Sequence, residues 1–245
     1  MHIVTRGLVL RETNYKEADK ILTVLTEEGG KRTVRARGCR RKGSRLAAAA
    51  QLLVCSEMTL FAYRDHFSLN EASSLEQFRG VRAEVEKLAL GSYFAEVMEA
   101  VALEGRSDPG FLPLILNALY ALDKLQKPLP LVKAAYELKL LCLAGYAPML
   151  ESCAVCGTPK PEAPQLSLLG GALHCTRCHA GPGPSAALNT AALHAMRHVA
   201  LGNPKRIFSF RIGEEGLALL GAACEAFLLA QVDRGFRTLD FYHRL

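Results

Sequence analysis

Ile21-Leu22-Thr23-Val24-Leu25-Thr26-Glu27-Glu28-Gly29-Gly30-Lys31-Arg32-Thr33-Val34-Arg35-Ala36-Arg37 reads as a strand, a tight reversal and a returning strand. β-branched and apolar residues fill the first six positions, as a pleated, half-buried surface favours. Glu27-Glu28-Gly29-Gly30 ends that run, and glycine supplies the positive φ angles a short hairpin needs. On the return, a period of two sends Lys31, Thr33, Arg35 and Arg37 to one side and Val34 and Ala36 to the other. The returning strand therefore offers a basic outer face on an apolar inner one.

Outward from this hairpin, Ile3 to Arg11 is a β-rich run, and Gln51 to Tyr63 and Phe67 to about Glu71 supply further strands. Roughly five short strands precede the first helical periodicity, a count that fits a five-stranded Greek-key barrel of the OB type. After Phe78, apolar residues recur at helical spacing from Val81 to Val101, and again over Phe111 to Gln126, Leu131 to Tyr146, Thr190 to Leu201 and Glu214 to Val232. The fold class expected is α+β, with the barrel at residues 1–80 and a helical domain at 81–149 and 182–245. A cysteine-bearing module is inserted at 150–181, where Pro and Gly are frequent.

Charge is concentrated. From Lys31 to Arg45 there are eight Lys or Arg and no acid, so the rest of the chain carries 22 of the 30 basic residues against 24 acidic ones. A cationic patch on an otherwise balanced chain is the footprint of a phosphate-bearing partner, whereas a merely solubilising surface mixes both signs. The candidate DNA contacts are Lys31, Arg35, Arg37, Arg40, Arg41, Lys42 and Arg45, holding phosphates through charge without reading sequence. Phe61, Tyr63 and Phe67 are either core residues or platforms on which bases stack.

Cys153-x2-Cys156, 18 intervening residues and Cys175-x2-Cys178 form the second motif. Each x2 turn sets two sulfurs on one side of a knuckle, and two knuckles converge on one tetrahedral zinc ion. Gly157 and Gly181 let the backbone turn beside the thiolates. Four protein ligands leave no open position for a water nucleophile, so this zinc is expected to be structural. His174 and His179 stand beside ligands without being needed as ligands. A redox pair needs a single CxxC in a βαβ setting, and disulfides are disfavoured in a reducing compartment. Cys142 and Cys224 fall in apolar helices and read as inert core, while Cys39 is the thiol expected at the surface.

Catalytic signatures are missing: no H-x-E with P-C-x-x-C, no phosphate-binding glycine loop, no dinucleotide fingerprint, no G-x-S-x-G and no H-E-x-x-H. His194 and His198, four apart on a helix, make half a metal site with no third ligand. No apolar run approaches the roughly 20 residues a bilayer requires, since stretches such as Leu138 to Ala147 are broken by Lys, Gly or Pro. The opening Met1-His2-Ile3-Val4-Thr5-Arg6 lacks the pattern of a signal peptide. The expectation is a non-enzymatic, cytoplasmic chain with no membrane partner. A nucleic-acid-processing enzyme with an unrecognised site and an adaptor whose basic strand grips an acidic protein are the alternatives.

Several segments together resemble one family. Gly7-Leu8-Val9-Leu10, Tyr15-Lys16-Glu17-Ala18-Asp19, Leu25-Thr26-Glu27-Glu28-Gly29 and Arg37-Gly38-Cys39-Arg40-Arg41-Lys42-Gly43-Ser44-Arg45 are similar to the opening of the RecO family of bacterial recombination mediators. Gly145-Tyr146-Ala147-Pro148-Met149-Leu150, Cys153-x2-Cys156-Gly157 and Gly170-Gly171 ahead of Cys175-x2-Cys178 resemble its centre. Gly235-Phe236-Arg237-Thr238-Leu239 matches it loosely. The resemblance implies an OB barrel, a helical domain and a zinc insert. It also implies DNA repair by homologous recombination: binding of single- and double-stranded DNA, strand annealing, pairing with RecR, contact with the single-strand DNA-binding protein, and help in loading RecA.

Overall fold

The computed structural model describes residues 1–64, 66–178 and 183–245. Its organising strand is β1 (His2–Tyr15), long enough to serve two neighbours. Residues 2–8 pair with β4 (Cys55–Tyr63), and residues 7–15 with β2 (Asp19–Thr26). A register shift between Val9 and Arg11 lets the strand bend from one partner to the other. β3 (Gly30–Ala36) returns along β2, and β5 (His66–Glu76) returns along β4. A short parallel pairing of Val34–Arg35 with Phe67–Ser68 shuts the ring in the order β1-β2-β3-β5-β4. This is the OB arrangement, and closure leaves the short strands without a free edge.

Alternation fills the ring. Val9, Leu22, Val24, Val34, Met58, Leu60 and Leu69 point inward and pack together. The connection from residue 37 to 54 is a chain of turns, so strand β4 begins at Cys55 and not at Gln51. Leu46 and Ala50 from this connection join the barrel core. So does Cys39, which corrects the expectation of a surface thiol: it is 3% exposed. The alternation of β3 stops just before it, and the turn at Gly38 folds the thiol back under the barrel.

Beside the start of β3 lies the loop at residues 103–106, bridged to Gly30 and Lys31 through Glu104. Lys31 N–H donates to the Leu103 carbonyl and Gly105 N–H to the Lys31 carbonyl, each at 3.2 Å. Gly30 is pinned there at φ +62°, and a Cβ on it would lie 2.0 Å from the Arg106 carbonyl oxygen.

Met1–Lys124 together with Phe236–Leu245 form one compact unit, and Leu125–Gly235 a second. The first unit thus holds, beyond the barrel, α1 (Arg79–Ala83), α2 (Val85–Val101), α3 (Phe111–Lys124) and α7 (Arg237–Tyr242). The contact boundaries therefore fall elsewhere than the change of periodicity near residue 80. α2 buries Leu90, Tyr93, Phe94, Val97 and Met98. α7 packs on α2 through an edge-on contact of Phe236 with Tyr93 and two hydrogen bonds from Thr238 to the Glu96 carboxylate.

The second unit contains α4 (Leu129–Leu143), α5 (Thr190–Leu201), α6 (Glu214–Val232) and a small sheet of β6 (Pro164–Ser167), β7 (Leu173–Cys175) and β8 (Ser185–Ala187), ordered β7-β6-β8. Against the expectation that no apolar run is long enough, α6 could cross a bilayer by length and composition alone. Within this unit it packs on α4 and α5, and its Glu225 joins a charged group between helices: Lys133 Nζ lies 2.7 Å from Glu137 and 2.6 Å from Glu225. Burial alone would push the Lys133 amine down, but the two carboxylates outweigh it and hold the pKa above the usual lysine range.

Two stability predictions follow from these contacts. Gly30→Ala must adopt a left-handed backbone against a fixed carbonyl and should lose about 2 kcal/mol or more in urea unfolding. Lys133→Ala leaves two carboxylates facing each other with no cation and should lose about 3–5 kcal/mol by the same measurement.

Candidate nucleic-acid interface and metal centre

β3 places its outward residues as alternation requires: Thr33 and Arg37 are exposed, Lys31 and Arg35 half-buried, Val34 and Ala36 buried. The seven candidate cations then separate into two groups. Arg35 forks onto Asp19 with Nε and Nη2 at 3.0 and 2.7 Å and lies over the Tyr15 ring. Asp19 also accepts the Gly38 N–H at 2.8 Å, and that bond, followed by Arg35, holds its carboxyl below the usual range. Lys31 donates to the Glu99 carbonyl at 2.7 Å. These two cations are committed to the fold.

Arg37, Arg40, Arg41, Lys42 and Arg45 are exposed on the turns that follow. Arg40 is positioned by its own N–H on the Ala18 carbonyl, 2.9 Å, which ties the basic turns to the β1–β2 loop. Among the described residues, none of the five forms an ion pair with an acid. They are therefore available to a polyanion.

Of the aromatics, Tyr63 is 60% and Phe61 38% exposed, and Phe61 stacks on His2 with ring centres 5.4 Å apart. Phe67 packs one side on the barrel core and carries the Arg32 guanidinium over its ring at 4.3 Å. Parity reasoning missed Arg32, because an even position in β3 belongs inside. Arg32 lies near the start of the strand, where the barrel core has thinned, and the side chain turns to lie on Phe67. Its membership of the basic run was the signal that could have found it.

The metal motif converges. The four sulfurs of Cys153, Cys156, Cys175 and Cys178 all lie within 4.8 Å of one another, with Cys156 and Cys175 at 3.7 Å. Sulfurs about 2.3 Å from a shared tetrahedral ion sit about 3.8 Å apart, so the set fits such an ion. Each knuckle is a turn: Gly157 N–H donates to the Cys153 carbonyl at 2.9 Å and Cys178 N–H to the Cys175 carbonyl at 3.0 Å. Gly157 takes φ +74°, a conformation that side chains resist. The N–H of Cys156, with those of Val155 and Cys175, draws the Cys153 thiol down to about 6. Burial and then the neighbouring sulfurs push Cys175 up to about 12. Four thiolates this close cannot ionise together without a cation among them.

His174 is 4% exposed and acts as a brace: Nδ1 faces the carbonyls of Cys175 and Cys178 at 3.2 and 3.1 Å, and Nε2 faces the Ser185 hydroxyl at 3.1 Å. Arg197 of α5 donates to the carbonyls of Leu150, Glu151 and Pro159, and Gln231 of α6 to that of Leu168. His179 and Gly181 lie outside the described residues. His198 meets the Arg206 carbonyl at 3.0 Å and the Phe210 ring, and among the described residues it joins no metal-binding group. Burial lifts Cys55 and Cys142 to about 11 and holds Cys224 well above the usual thiol range, as expected of thiols kept neutral in a core.

Comparison with known proteins agrees with this layout. Residues 1–79 match the family description "Recombination protein O N terminal", and residues 82–240 match "Recombination protein O C terminal". A DNA repair protein RecO of Acetivibrio thermocellus is 31% identical over 245 residues, covering 100% of this chain and 97% of the relative. That of Symbiobacterium thermophilum is 32% identical over 247 residues, covering 98% and 96%. That of Rubrobacter xylanophilus is 34% identical over 181 residues, covering 74% and 73%. With a closed OB-type barrel, a convergent four-cysteine site and a match running nearly from end to end, the chain belongs to the recombination protein O family of DNA repair proteins.

Proposed function

We propose that the chain is a non-catalytic recombination mediator that binds single- and double-stranded DNA through the outer face of β3 and the turns after it. The observation that carries this reading is the run of exposed cations, Arg37, Arg40, Arg41, Lys42 and Arg45, in which Arg40 is hydrogen-bonded to the β1–β2 loop. In OB barrels that loop and the β2–β3 face border the oligonucleotide groove. Contacts of this kind neutralise phosphates, so two strands held on one protein repel each other less, which favours annealing of complementary strands. Relatives named DNA repair protein RecO support the wider role: with RecR, this chain helps RecA load onto strands covered by the single-strand DNA-binding protein. In this reading the chain works in the bacterial cytoplasm, associated with the nucleoid. We read α6 as a core helix, because Cys224, Phe227 and Leu228 are buried and Glu225 pairs with Lys133.

The four cysteines hold one zinc ion in this reading. It supplies a structural cross-link and no reactive position, since four thiolates complete its coordination. Two alternatives remain distinguishable. A nucleic-acid-processing enzyme would turn labelled DNA into a product with magnesium and nucleotide, and a pure adaptor would show no DNA shift at low salt.

Replacing Arg40, Arg41, Lys42 and Arg45 together by Gln should weaken single- and double-strand binding alike. The slope of log affinity against log salt should fall by about three, at roughly 0.7–0.9 per lost phosphate contact. An unchanged slope, from fluorescence anisotropy at several salt concentrations, would place the DNA elsewhere. For the metal, one equivalent of zinc is expected by elemental analysis. Its removal by chelator should make residues 150–187 sensitive to protease, because structural zinc contributes about 10–16 kcal/mol in comparable peptides.

A further inference from the structure

A cleft of about 340 Å³ opens between the start of β3, the β4–β5 turn and the loop beside β3, lined by Lys31, Arg32, Thr33, Arg64, Phe67 and Glu104. Its size is within the range of small-ligand sites. Phe67 lines it, and the Arg32 guanidinium lies over that ring, its central carbon 4.3 Å from the ring centre. A guanidinium held over an aromatic ring offers its other face as a plane, and guanidinium planes stack on nucleobases. Glu104, exposed and fixed by the Thr33 hydroxyl at 3.2 Å, puts a carboxylate at the same opening. Among the described lining residues Glu104 is the only acid, and an acid among cations repels phosphate. Its use is as an acceptor for amino and imino hydrogens, which the Watson–Crick edge of a base exposes when unpaired.

The β1–β2 and β4–β5 turns repeat one pattern. Lys16, in the β1–β2 turn, and Arg64, in the β4–β5 turn, both take φ +51°, a left-handed backbone normally left to Gly or Asn. Each lies over the ring of the tyrosine before it, Lys16 at 5.5 Å from Tyr15 and Arg64 at 5.4 Å from Tyr63. Those tyrosines are 41% and 60% exposed. Residues held in this backbone region cluster at ligand clamps. The two turns are also those that bound the oligonucleotide groove of OB barrels.

We propose that this cleft takes one unpaired base of a single strand, stacked on the Arg32 plane that Phe67 backs, with the base's amino edge on Glu104 and a flanking phosphate on Arg64. The assignment rests on the DNA-binding reading above and adds to it a means of telling single strands from duplex. A paired base keeps both its faces in the stack and its amino edge occupied, so duplex cannot use the cleft. Guanine suits it best, because N1–H and N2–H stand side by side for a carboxylate.

Arg32→Lys tests this, since it keeps the charge and removes the plane. Affinity for a thymine strand carrying guanine at alternate positions should fall about tenfold, within the worth of one stacked base. Duplex affinity and the salt slope should not move, and the quenching of 2-aminopurine placed in the strand should diminish. Glu104→Ala should abolish the preference for that strand over an all-thymine strand. Equal loss on single strand and duplex, or no loss on either, would overturn the pocket, as would a guanine preference that survives Glu104→Ala. Failure of the general charge reading looks different: the fourfold Gln variant would then keep its salt slope whatever Arg32→Lys does.

Discussion

The Asp19 carboxylate is the fixed point of the basic surface. One oxygen takes both nitrogens of the Arg35 fork and the other takes the Gly38 N–H, so a single acid joins the start of β2, the end of β3 and the first turn beyond it. Eight cations within fifteen residues repel one another, and without a local anion their segment would be expelled into solvent as a loose loop. The fold offsets that repulsion unevenly. Arg35 receives a carboxylate, Lys31 a backbone carbonyl and Arg32 an aromatic face, while the others stay in water. Arg35 is half-buried, and its pair is therefore screened less than a surface pair would be. Its partnership orders the backbone from which the exposed cations project.

The metal module solves a different problem with similar means. Among the described residues between Leu150 and Ser185 there are two short strands, β6 and β7, and mostly irregular backbone, which leaves carbonyls that no strand or helix satisfies. Arg197 takes three of these carbonyls and Gln231 two, so the helices of this unit supply donors where regular structure does not. His174 does the same between the second knuckle and Ser185. The four cysteine sulfurs lie within 4.8 Å of one another, a set that could hold a metal ion.

Much of this was legible in the residues, and the parts that were not share a cause. The β-branched run located β2, period-two alternation gave β3 and its apolar inner face, and the knuckle spacing located the four sulfurs, because all depend on neighbours close in sequence. The capture of Arg35 by Asp19, the burial of Cys39 and the turn of Arg32 onto Phe67 depend on pairings between 16 and 35 residues apart, which no local pattern encodes. The strand start at Gln51 was misplaced because Leu52 to Val54 are as apolar as a strand. Their burial comes instead from turns packed beneath the barrel, with Leu53 at φ +60°. The small sheet of β6, β7 and β8 has no clear signature in the residues, since its strands are three or four residues long, too short for a pattern to stand out.

Phe236–Leu245 belongs with the barrel and the first three helices, although the entire second unit lies between them in the chain. A ribosome delivers the first unit's barrel early but withholds the Phe236 ring and the Thr238 hydroxyl that occupy Tyr93 and Glu96 until 111 further residues have been made. The nascent chain must carry an unfinished α2 face throughout that interval, and closing it joins segments more than 130 residues apart in sequence, a step whose entropy grows only slowly with length. The first unit to emerge is thus the last to be completed.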